Sequence, residues 1–396
     1  MAEAVPFQHR TDEHTLSRIA HQVAEYRWPR TPEGAGWALG ADPETMRYLV
    51  QRWRDGFNWR LEEAKLNERP HFQARVGDLR LHFVHQRAAQ SNERLPVLLM
   101  HGWPGCYLEY LEVADRLVAA GHDVVIASLP GAGHSDTPAK LMGPRAMAGL
   151  MHALMTEVLA YPRYLAHGAD WGSILAGWLG FDHPQACAGV HMTMVSPRFV
   201  AGAASAPEEQ QWLGAFRERF EDDGAYFRLQ TSRPLTAGYL LNDNPVGLLA
   251  WMLEKFAAWG DPAEADKSAV FQAPARADQL LRNVMLYLVT GTAATATWIY
   301  RGLATEGPPG YPGGQRVEVP VALAATRDPM FVLPPRSLVE KAYRVTRWTE
   351  LPRGGHFPGY EAPDLLSEDI RAFADSLGVH SEAGRSLYST PLSHPS

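Results

Sequence analysis

Short apolar runs alternate with helical patterns through the middle of the chain. Helices are predicted for RAMAGLMHALMTEVLA (145–160) and SILAGWLGF (173–181), and after a long interruption for DLLSEDIRAFADSL (364–377). Strands are predicted for LRLHFVHQ (79–86), LPVLLM (95–100), DVVIASL (123–129), YLAHG (164–168), AGVHMTMV (188–195), PVALAAT (320–326) and VTRWTEL (345–351). Buried strands separated by helices are typical of a mostly parallel sheet covered by helices, which is an α/β architecture.

The interruption at residues 200–305 has a different pattern. It contains no convincing strand, and its apolar residues recur at helical spacing in two stripes. These stripes are Leu248, Trp251, Met252, Phe256 and Trp259, and Leu280, Leu281, Val284, Met285 and Leu288. A helical insertion between strands is most simply a cap over the sheet. We therefore predict a helical cap inserted after the sixth core strand.

The two ends of the chain differ from its centre. In residues 1–90 an amphipathic stripe, Met46, Leu49, Val50, Trp53 and Phe57, predicts helices that wrap around the core. The segment from His380 is polar and contains Ser and Pro, which predicts disorder. The predicted divisions are an N-terminal meander at 1–90, core halves at 91–199 and 306–379, the cap at 200–305 and a tail at 380–396.

Composition and charge limit the kinds of molecule that this protein is expected to bind and the compartment in which it is expected to lie. The net charge is −7 without a basic cluster, which argues against nucleic acid and anionic membranes as partners. The N-terminus lacks a signal-peptide core and no run is long enough to span a membrane, so a cytoplasmic protein is predicted. Cys106 and Cys187 form no Cys-x-x-Cys pair, which argues against a zinc site; one long-range disulfide stays a less favoured alternative. Oligomeric state stays open, with a homodimer as one possibility.

The segment YLAHGADWGS carries the strongest chemical signal. It places Asp170 between a predicted strand and a predicted helix, with small residues on both sides. Small neighbours are what a sharp nucleophile elbow needs, since bulky ones would clash with the strained turn. No Gly-x-Ser-x-Gly occurs in the chain, so Asp170 takes the position that serine holds in most such hydrolases. The alternative is an aspartate that only caps the following helix.

A second motif, HGWPG, follows the strand 95–100. In folds that carry a nucleophile elbow on a helix-covered sheet, the loop after this strand supplies one backbone N–H of the oxyanion hole. We predict that Trp103 donates that N–H and that Trp171, directly after Asp170, donates the other. The alternative is an ordinary Gly-Pro turn. We assign His101 a structural role.

The third motif, RGGHFPGYE, places His356 in a glycine-flanked loop after the last strand. Asp328 follows the preceding strand in ATRDPM, with Glu350 as a less well placed substitute. The chain order nucleophile, acid, histidine is the order of α/β-hydrolases. The chain contains sixteen histidines, and His356 is singled out by its position.

Together these motifs resemble the microsomal-type epoxide hydrolase family from about Val5 to Ala374. The resemblance includes FNWRLEEAKLNERPHFQARVGDLRLHFVH (57–85), HGWPG, GADWGS, GYLLNDNPVGLLAWMLEKFAAW, LLRNVMLYLVTGT and GGHFP. It implies an α/β-hydrolase fold with an N-terminal meander and a helical cap. It also implies two cap tyrosines that donate to the epoxide oxygen, matched here by Tyr226 in AYFRLQTSRP and Tyr300 in TATWIYRG. The competing tyrosines are Tyr287, Tyr239 and Tyr311.

These residue types suit the opening of an epoxide to a vicinal diol. A carboxylate nucleophile forms an ester, whose carbonyl a water activated by His356 can attack while Asp328 orients the imidazole. No metal or organic cofactor is expected. The alternatives are a haloalkane dehalogenase with the same nucleophile and a non-catalytic binding protein of this fold.

The predicted pocket suggests a bulky aromatic or alicyclic epoxide. Its residues are Trp103, Pro104, Trp171, Phe227, Gln230 and Trp251, with Trp212 also in the cap lining. Detoxification and biosynthesis, for example of an enediyne or polyketide, both fit such a substrate.

Overall fold

The computed structural model describes residues 3–89 and 94–385. Within them nine strands form one sheet of order β1-β2-β3-β5-β4-β6-β7-β8-β9. The strands are β1 (Val5–Pro6), β2 (His71–Val76), β3 (Leu79–Gln86), β4 (Val97–Met100), β5 (Val124–Ala127), β6 (Tyr164–Gly168), β7 (Cys187–Met192), β8 (Val317–Ala325) and β9 (Tyr343–Glu350). The predicted α/β-hydrolase fold, a mostly parallel sheet covered by helices, is confirmed.

The sheet has an antiparallel edge and a parallel body. Strands β1 to β3 pair antiparallel, and β3 pairs antiparallel with β5. The pairs from β5 through β4, β6, β7 and β8 to β9 are all parallel. Every residue of β4, β5, β6 and β7 is buried, which explains why their sequences are continuous apolar runs. Strand β2 was missed because HFQARV carries polar and charged residues that interrupt its apolar pattern.

Helices cover the sheet and build the cap. They are α1 (Glu13–Ala24), α2 (Pro43–Asp55), α3 (Trp59–Asn67), α4 (Leu111–Ala119), α5 (Pro144–Ala153), α6 (Trp171–Asp182), α7 (Pro197–Val200), α8 (Pro207–Asp223), α9 (Ala225–Ser232), α10 (Pro234–Leu241), α11 (Pro245–Trp259), α12 (Lys267–Gln272), α13 (Pro274–Thr290), α14 (Trp298–Thr305), α15 (Arg336–Val339), α16 (Pro358–Glu361) and α17 (Pro363–Arg385). A π-helical turn, Leu154–Val158, follows α5.

The cap consists of the helices from α8 to α14, and residues 200–305, all of them described, contain no strand. The cap follows β7, which is the sixth strand counted from β2, whereas only five strands were predicted from the sequence before residue 200 because β2 was missed. Most of the two predicted apolar stripes is buried, because α11 and α13 pack against each other. Trp251 is the exception and is half-exposed.

The N-terminal region joins the sheet to the cap. Strand β1 pairs with β2, while Met46, Leu49, Val50 and Trp53 of α2 are buried. Arg52 forms a bidentate ion pair with Asp278 of α13, in which Nε and Nη2 each donate to one carboxylate oxygen at 2.7 Å. The region therefore packs on both layers.

The C-terminal helix extends beyond the predicted boundary. Helix α17 continues to Arg385, so helix occupies the first part of the segment 380–396 for which we predicted disorder. The rest of that prediction, residues 386–396, lies outside the described residues. Cys106 and Cys187 are both buried free thiols. In the described segments, no helix has the length and apolar character needed to cross a bilayer.

Candidate active site

Asp170 stands at a sharp turn between β6 and α6. Its backbone has φ 49° and ψ −123°, a region that non-glycine residues rarely adopt and that costs energy. The turn is so tight that a Cβ on Gly172 would overlap the carbonyl oxygen of Met100. The Asp170 side chain accepts no capping hydrogen bond from α6, which counts against the capping alternative.

The HGWPG loop brings a backbone donor to the carboxylate of Asp170. The Trp103 N–H donates to Asp170 Oδ1 at 2.9 Å. This close approach requires Gly102, since a Cβ there would collide with the same carboxylate. Trp171 begins α6 directly after Asp170, so its N–H is one of the unpaired donors of the first helical turn.

His101 is held by backbone groups on both sides of its ring. Its Nδ1 lies 2.9 Å from Gly102 O, and its Nε2 accepts the Leu129 N–H at 3.2 Å. Both ring nitrogens are therefore occupied, which fits the predicted structural role.

Loops after β8 and β9 bring Asp328 and His356 to Asp170. His356 Nδ1 lies 2.6 Å from Asp328 Oδ2, and His356 Nε2 lies 3.5 Å from Asp170 Oδ2. The other Asp328 oxygen accepts the N–H groups of Met330 and Phe331 at 2.8 and 2.9 Å. Three residues distant in sequence thus meet at the carboxyl edge of the parallel strands, where α/β sheets place their sites.

Glu350, the weaker candidate for the acid, lies elsewhere. It is exposed at the end of β9 and accepts the indole N–H of Trp348 at 2.7 Å. The structure does not bring it to His356.

The charge state of His356 is set by its two carboxylate neighbours. Burial by itself lowers the pKa of His356, but the charge of Asp328 and the proximity of Asp170 outweigh burial and raise the pKa to about 10. The imidazole therefore carries a proton at neutral pH.

Tyr226 on α9 and Tyr300 on α14 line the same cavity as Asp170. Their ring centroids are 6.1 Å apart, and the ring of Tyr300 lies edge-on to Trp171 at 4.6 Å. Burial, together with the charge of Asp170, holds the pKa of both phenols well above the usual value. Both keep their protons at neutral pH and can act as uncharged acids.

The competing tyrosines lie outside this cavity. The Tyr287 hydroxyl donates to Gly105 O at 2.6 Å, so its proton is already committed. Tyr311 donates to Tyr343 at 3.2 Å, and Tyr239 is 88% exposed. The geometry favours Tyr226 and Tyr300.

Comparisons with known proteins agree with this geometry. Residues 4–110 match the family described as epoxide hydrolase N terminus, and residues 96–361 match the alpha/beta hydrolase fold family. A Stigmatella aurantiaca (strain DW4/3-1) protein named as an epoxide hydrolase is 33% identical, across 92% of this chain and 83% of its own. The chain belongs to the epoxide hydrolase family.

Two further relatives show how widely the family resemblance extends. Juvenile hormone epoxide hydrolase 1 of Ctenocephalides felis is 29% identical, across 92% of this chain and 84% of its own. The solved structure of an enantioselective mutant of the Aspergillus niger epoxide hydrolase has a TM-score of 0.80 at 26% identity, covering 94% of this chain and 96% of that one. Epoxide hydrolases act on the ether bond of an epoxide, and this chain is an enzyme of that class.

The cavity of this epoxide hydrolase has a volume of about 270 Å³ and is mainly apolar. Of the residues predicted for the pocket, Trp171 and Phe227 line this cavity, together with three phenylalanines that were not predicted, Phe216, Phe220 and Phe331. Its lining residues are Asp170, Trp171, Ile174, Met194, Ser196, Pro197, Arg198, Phe216, Phe220, Tyr226, Phe227, Tyr300, Leu303, Pro309 and Phe331. The four-residue spacing of Phe216 and Phe220 beyond Trp212 on α8 was the available signal for these two phenylalanines.

The other predicted pocket residues, Trp103, Pro104, Gln230 and Trp251, are not among the residues that line this cavity. Trp103 Nε1 donates to Gln230 Oε1 at 2.9 Å, which holds these two side chains together beside the cavity. The Pro104 carbonyl accepts from the Asn283 side chain at 2.8 Å. Trp251 is half-exposed on α11, because the buried side of that helix faces α13.

Trp212 supports the cap without lining the cavity. Its indole N–H donates to Val332 O at 2.9 Å, and its ring stacks on Phe216, which does line the cavity.

The carboxylate of Glu361, which holds the His356 loop, was not predicted from the sequence. Glu361 accepts the N–H groups of Gly355, Phe357 and Asp261 at 2.7 to 2.9 Å. Only its position shortly after the GGHFP motif marked it. These bonds fix the loop on both sides of the histidine.

A group of imidazoles elsewhere has the composition of a metal site. In the described part of the chain, His9, His71 and His82 are buried with their ring nitrogens close together. However, His71 Nδ1 and His82 Nε2 lie 3.0 Å apart with nearly parallel rings, which is the arrangement of a hydrogen bond. None of the three lines the catalytic cavity.

Proposed function

We propose that this epoxide hydrolase forms a covalent ester between Asp170 and its substrate, which water then releases as a vicinal diol. The observation that carries the proposal is the pairing of Asp170 Oδ1 with the Trp103 N–H at 2.9 Å. That donor is already aimed at the oxygen that would become the ester carbonyl. Asp170 Oδ2 then stays available as the nucleophile.

The first step needs a nucleophile and acids on opposite sides of the cavity. Asp170 Oδ2 forms a bond to an epoxide carbon while the bond from that carbon to the ring oxygen breaks. The alkoxide takes a proton from Tyr226 or Tyr300. Because the pKa of each phenol is raised, each is protonated and uncharged before the reaction. Removing one such donor should cost roughly ten- to a thousandfold in rate, by analogy with oxyanion donors.

The second step needs His356 as a base. Forming the ester removes the negative charge of Asp170, which is one cause of the raised pKa of His356. The imidazolium can then return a proton to the phenolate and become neutral. Neutral His356 removes a proton from water, which attacks the Asp170 carbonyl, and the N–H groups of Trp103 and Trp171 stabilise the oxyanion. Collapse of this intermediate breaks the bond between the carbonyl carbon and the ester oxygen, and the departing diol oxygen takes the proton from His356.

The apolar lining supports a bulky aromatic or alicyclic epoxide as substrate. Four phenylalanines, Phe216, Phe220, Phe227 and Phe331, surround the space next to Asp170. Such rings bind an apolar body by burying its surface and by edge-to-face contacts. Both a detoxifying and a biosynthetic role fit this substrate class.

The decisive experiment is a single turnover in ¹⁸O-water with enzyme in excess over styrene oxide. If Asp170 is the nucleophile, the diol should contain unlabelled oxygen and the label should enter the peptide that contains Asp170. Later turnovers should deliver label to the diol, because the carboxylate has been refilled from solvent. A labelled diol and an unlabelled peptide in the first turnover would show direct attack by water and refute the proposal.

A further inference from the structure

Arg198 is the single basic side chain among the residues that line the catalytic cavity. It belongs to α7, which follows β7. Strand β7 lies beside β6 in parallel register, with Met192 next to Gly168. The loops that carry Asp170 and Arg198 therefore leave the same edge of the sheet from adjacent strands.

The hydrogen bonds of Arg198 leave its charge without an anionic partner. Its Nη2 donates to Gly307 O at 2.6 Å and to Pro308 O at 3.3 Å, and the adjoining Pro309 also lines the cavity. In the described chain, no carboxylate forms an ion pair with this guanidinium. Glu306 is close enough for its charge to act on Arg198, but the two form no ion pair, and Glu306 Oε1 accepts the backbone N–H groups of Arg145 and Ala146 at 2.8 and 3.3 Å.

The setting of Arg198 differs from that of most arginines in this protein. Arg52, Arg145 and Arg353, for example, each form two hydrogen bonds to a carboxylate. Burial lowers the pKa of Arg198 from its usual value, yet a guanidinium stays charged at neutral pH. Removing a cation from water costs free energy when no carboxylate forms an ion pair with it. An anionic group of a ligand would therefore form a stronger ion pair with Arg198 here than it would in water.

We propose that the preferred substrates are apolar epoxides that carry a carboxylate, which pairs with Arg198 while the epoxide ring faces Asp170. This inference rests on the proposed epoxide hydrolysis and adds the class of substrate. The phenylalanine-lined space holds the apolar body between the two polar ends. The guanidinium also offsets the repulsion between a substrate carboxylate and Asp170.

The test compares three styrene oxides that differ at the para position: a carboxylate, its methyl ester and a methyl group. We expect the wild-type enzyme to have the highest kcat/KM for the carboxylate. In Arg198→Gln that value should fall about ten- to a hundredfold, the worth of a charge-assisted hydrogen bond, mainly through KM. For the para-methyl substrate kcat/KM should fall less, so the ratio of the two values measures the contribution of the charge. Arg198→Lys should retain part of the preference, and 1 M salt should weaken it.

Arg301→Gln is the matched control. Arg301 lies next to Tyr300 on α14 but is exposed and does not line the cavity, so the same loss of charge should leave the preference intact. If Arg198→Gln fails to fold, the inference is still tested by the preference of the wild type for the carboxylate, by the salt dependence of that preference and by the preference of Arg198→Lys. Equal kcat/KM for the acid and the methyl substrate in the wild type, or a preference that survives Arg198→Gln, would overturn the inference while diol formation leaves the proposed function standing. No diol from any epoxide would overturn both.

Discussion

The two sides of the cavity are built by different physical means. On the sheet side, main-chain groups place Asp170 and His356. The Trp103 N–H donates to the Asp170 carboxylate, and the His356 N–H donates to Trp259 O at 2.8 Å. On the cap side, packing places Tyr226 and Tyr300. The ring of Tyr226 lies edge-on to Trp259 at 5.2 Å, and the Lys255 ammonium lies 4.8 Å from its centre.

This difference matches the two tasks of the reaction. The nucleophile and the base need fixed positions relative to one carbonyl carbon, and directional hydrogen bonds provide these. The cap tyrosines only need to reach an oxygen whose position depends on the substrate, and side-chain packing allows more variation. We therefore expect the sheet side to control whether turnover occurs and the cap side to control its rate and selectivity.

The largest expected effect is on the sheet side. His356→Gln should lower steady-state turnover by about 10⁴-fold, because water is no longer activated. Attack by Asp170 does not use the histidine as a base, so the protein should still become alkylated. Mass spectrometry should find the enzyme plus one substrate mass.

His152→Gln provides the control for this prediction. His152 is half-buried on α5, where it stacks on His183, and it does not line the cavity, so turnover should persist. An unmodified His356→Gln protein after long incubation with a confirmed substrate would contradict the division into two steps.

An intermediate effect is expected on the cap side. Tyr226→Phe and Tyr300→Phe should each slow alkylation by about ten- to a thousandfold, and the double substitution should nearly abolish it. Pre-steady-state measurement of ester formation checks this. Tyr287→Phe is the matched control, because its hydroxyl donates to Gly105 O and should affect stability more than rate. Full activity in Tyr300→Phe alongside a slow Tyr287→Phe would reassign the acid.

The smallest expected effect is on stability as a function of pH. The pKa of His356 is raised from the usual 6.5 to about 10 in the folded protein. Its pairing with Asp328 therefore stabilises the fold fully below pH 6.5 and is lost as the pH rises through 10. Between pH 7 and 10 the free energy of unfolding should fall more steeply in the wild type than in His356→Gln, measured by urea denaturation. Parallel curves would show that His356 is neutral in the resting enzyme.

Sequence patterns predicted the sheet side in detail. Asp170, Asp328 and His356 each follow a parallel strand, glycines lie close to Asp170 and His356 in the chain, and the structure brings all three residues together. Backbone-determined sites leave such traces because only certain residues, above all glycine, fit their turns. Strand β2 was missed where polar residues interrupt its apolar pattern, and Glu361 was missed because a carboxylate that binds backbone N–H groups resembles any surface glutamate.

The order of motifs along the chain by itself determined the fold class and singled out Asp170, Asp328 and His356, which the structure brings together, because strand periodicity and tight turns are local properties. Resemblance to a known family, and not spacing, singled out Tyr226 and Tyr300 among the tyrosines. Only the tertiary structure decided which aromatic side chains face the cavity, placing Phe216, Phe220 and Phe331 there and leaving Trp251 outside. It also decided that Arg198 shares the cavity with Asp170. Helical periodicity predicts which face of a helix is buried, whereas the packing of one helix on another decides what that face touches.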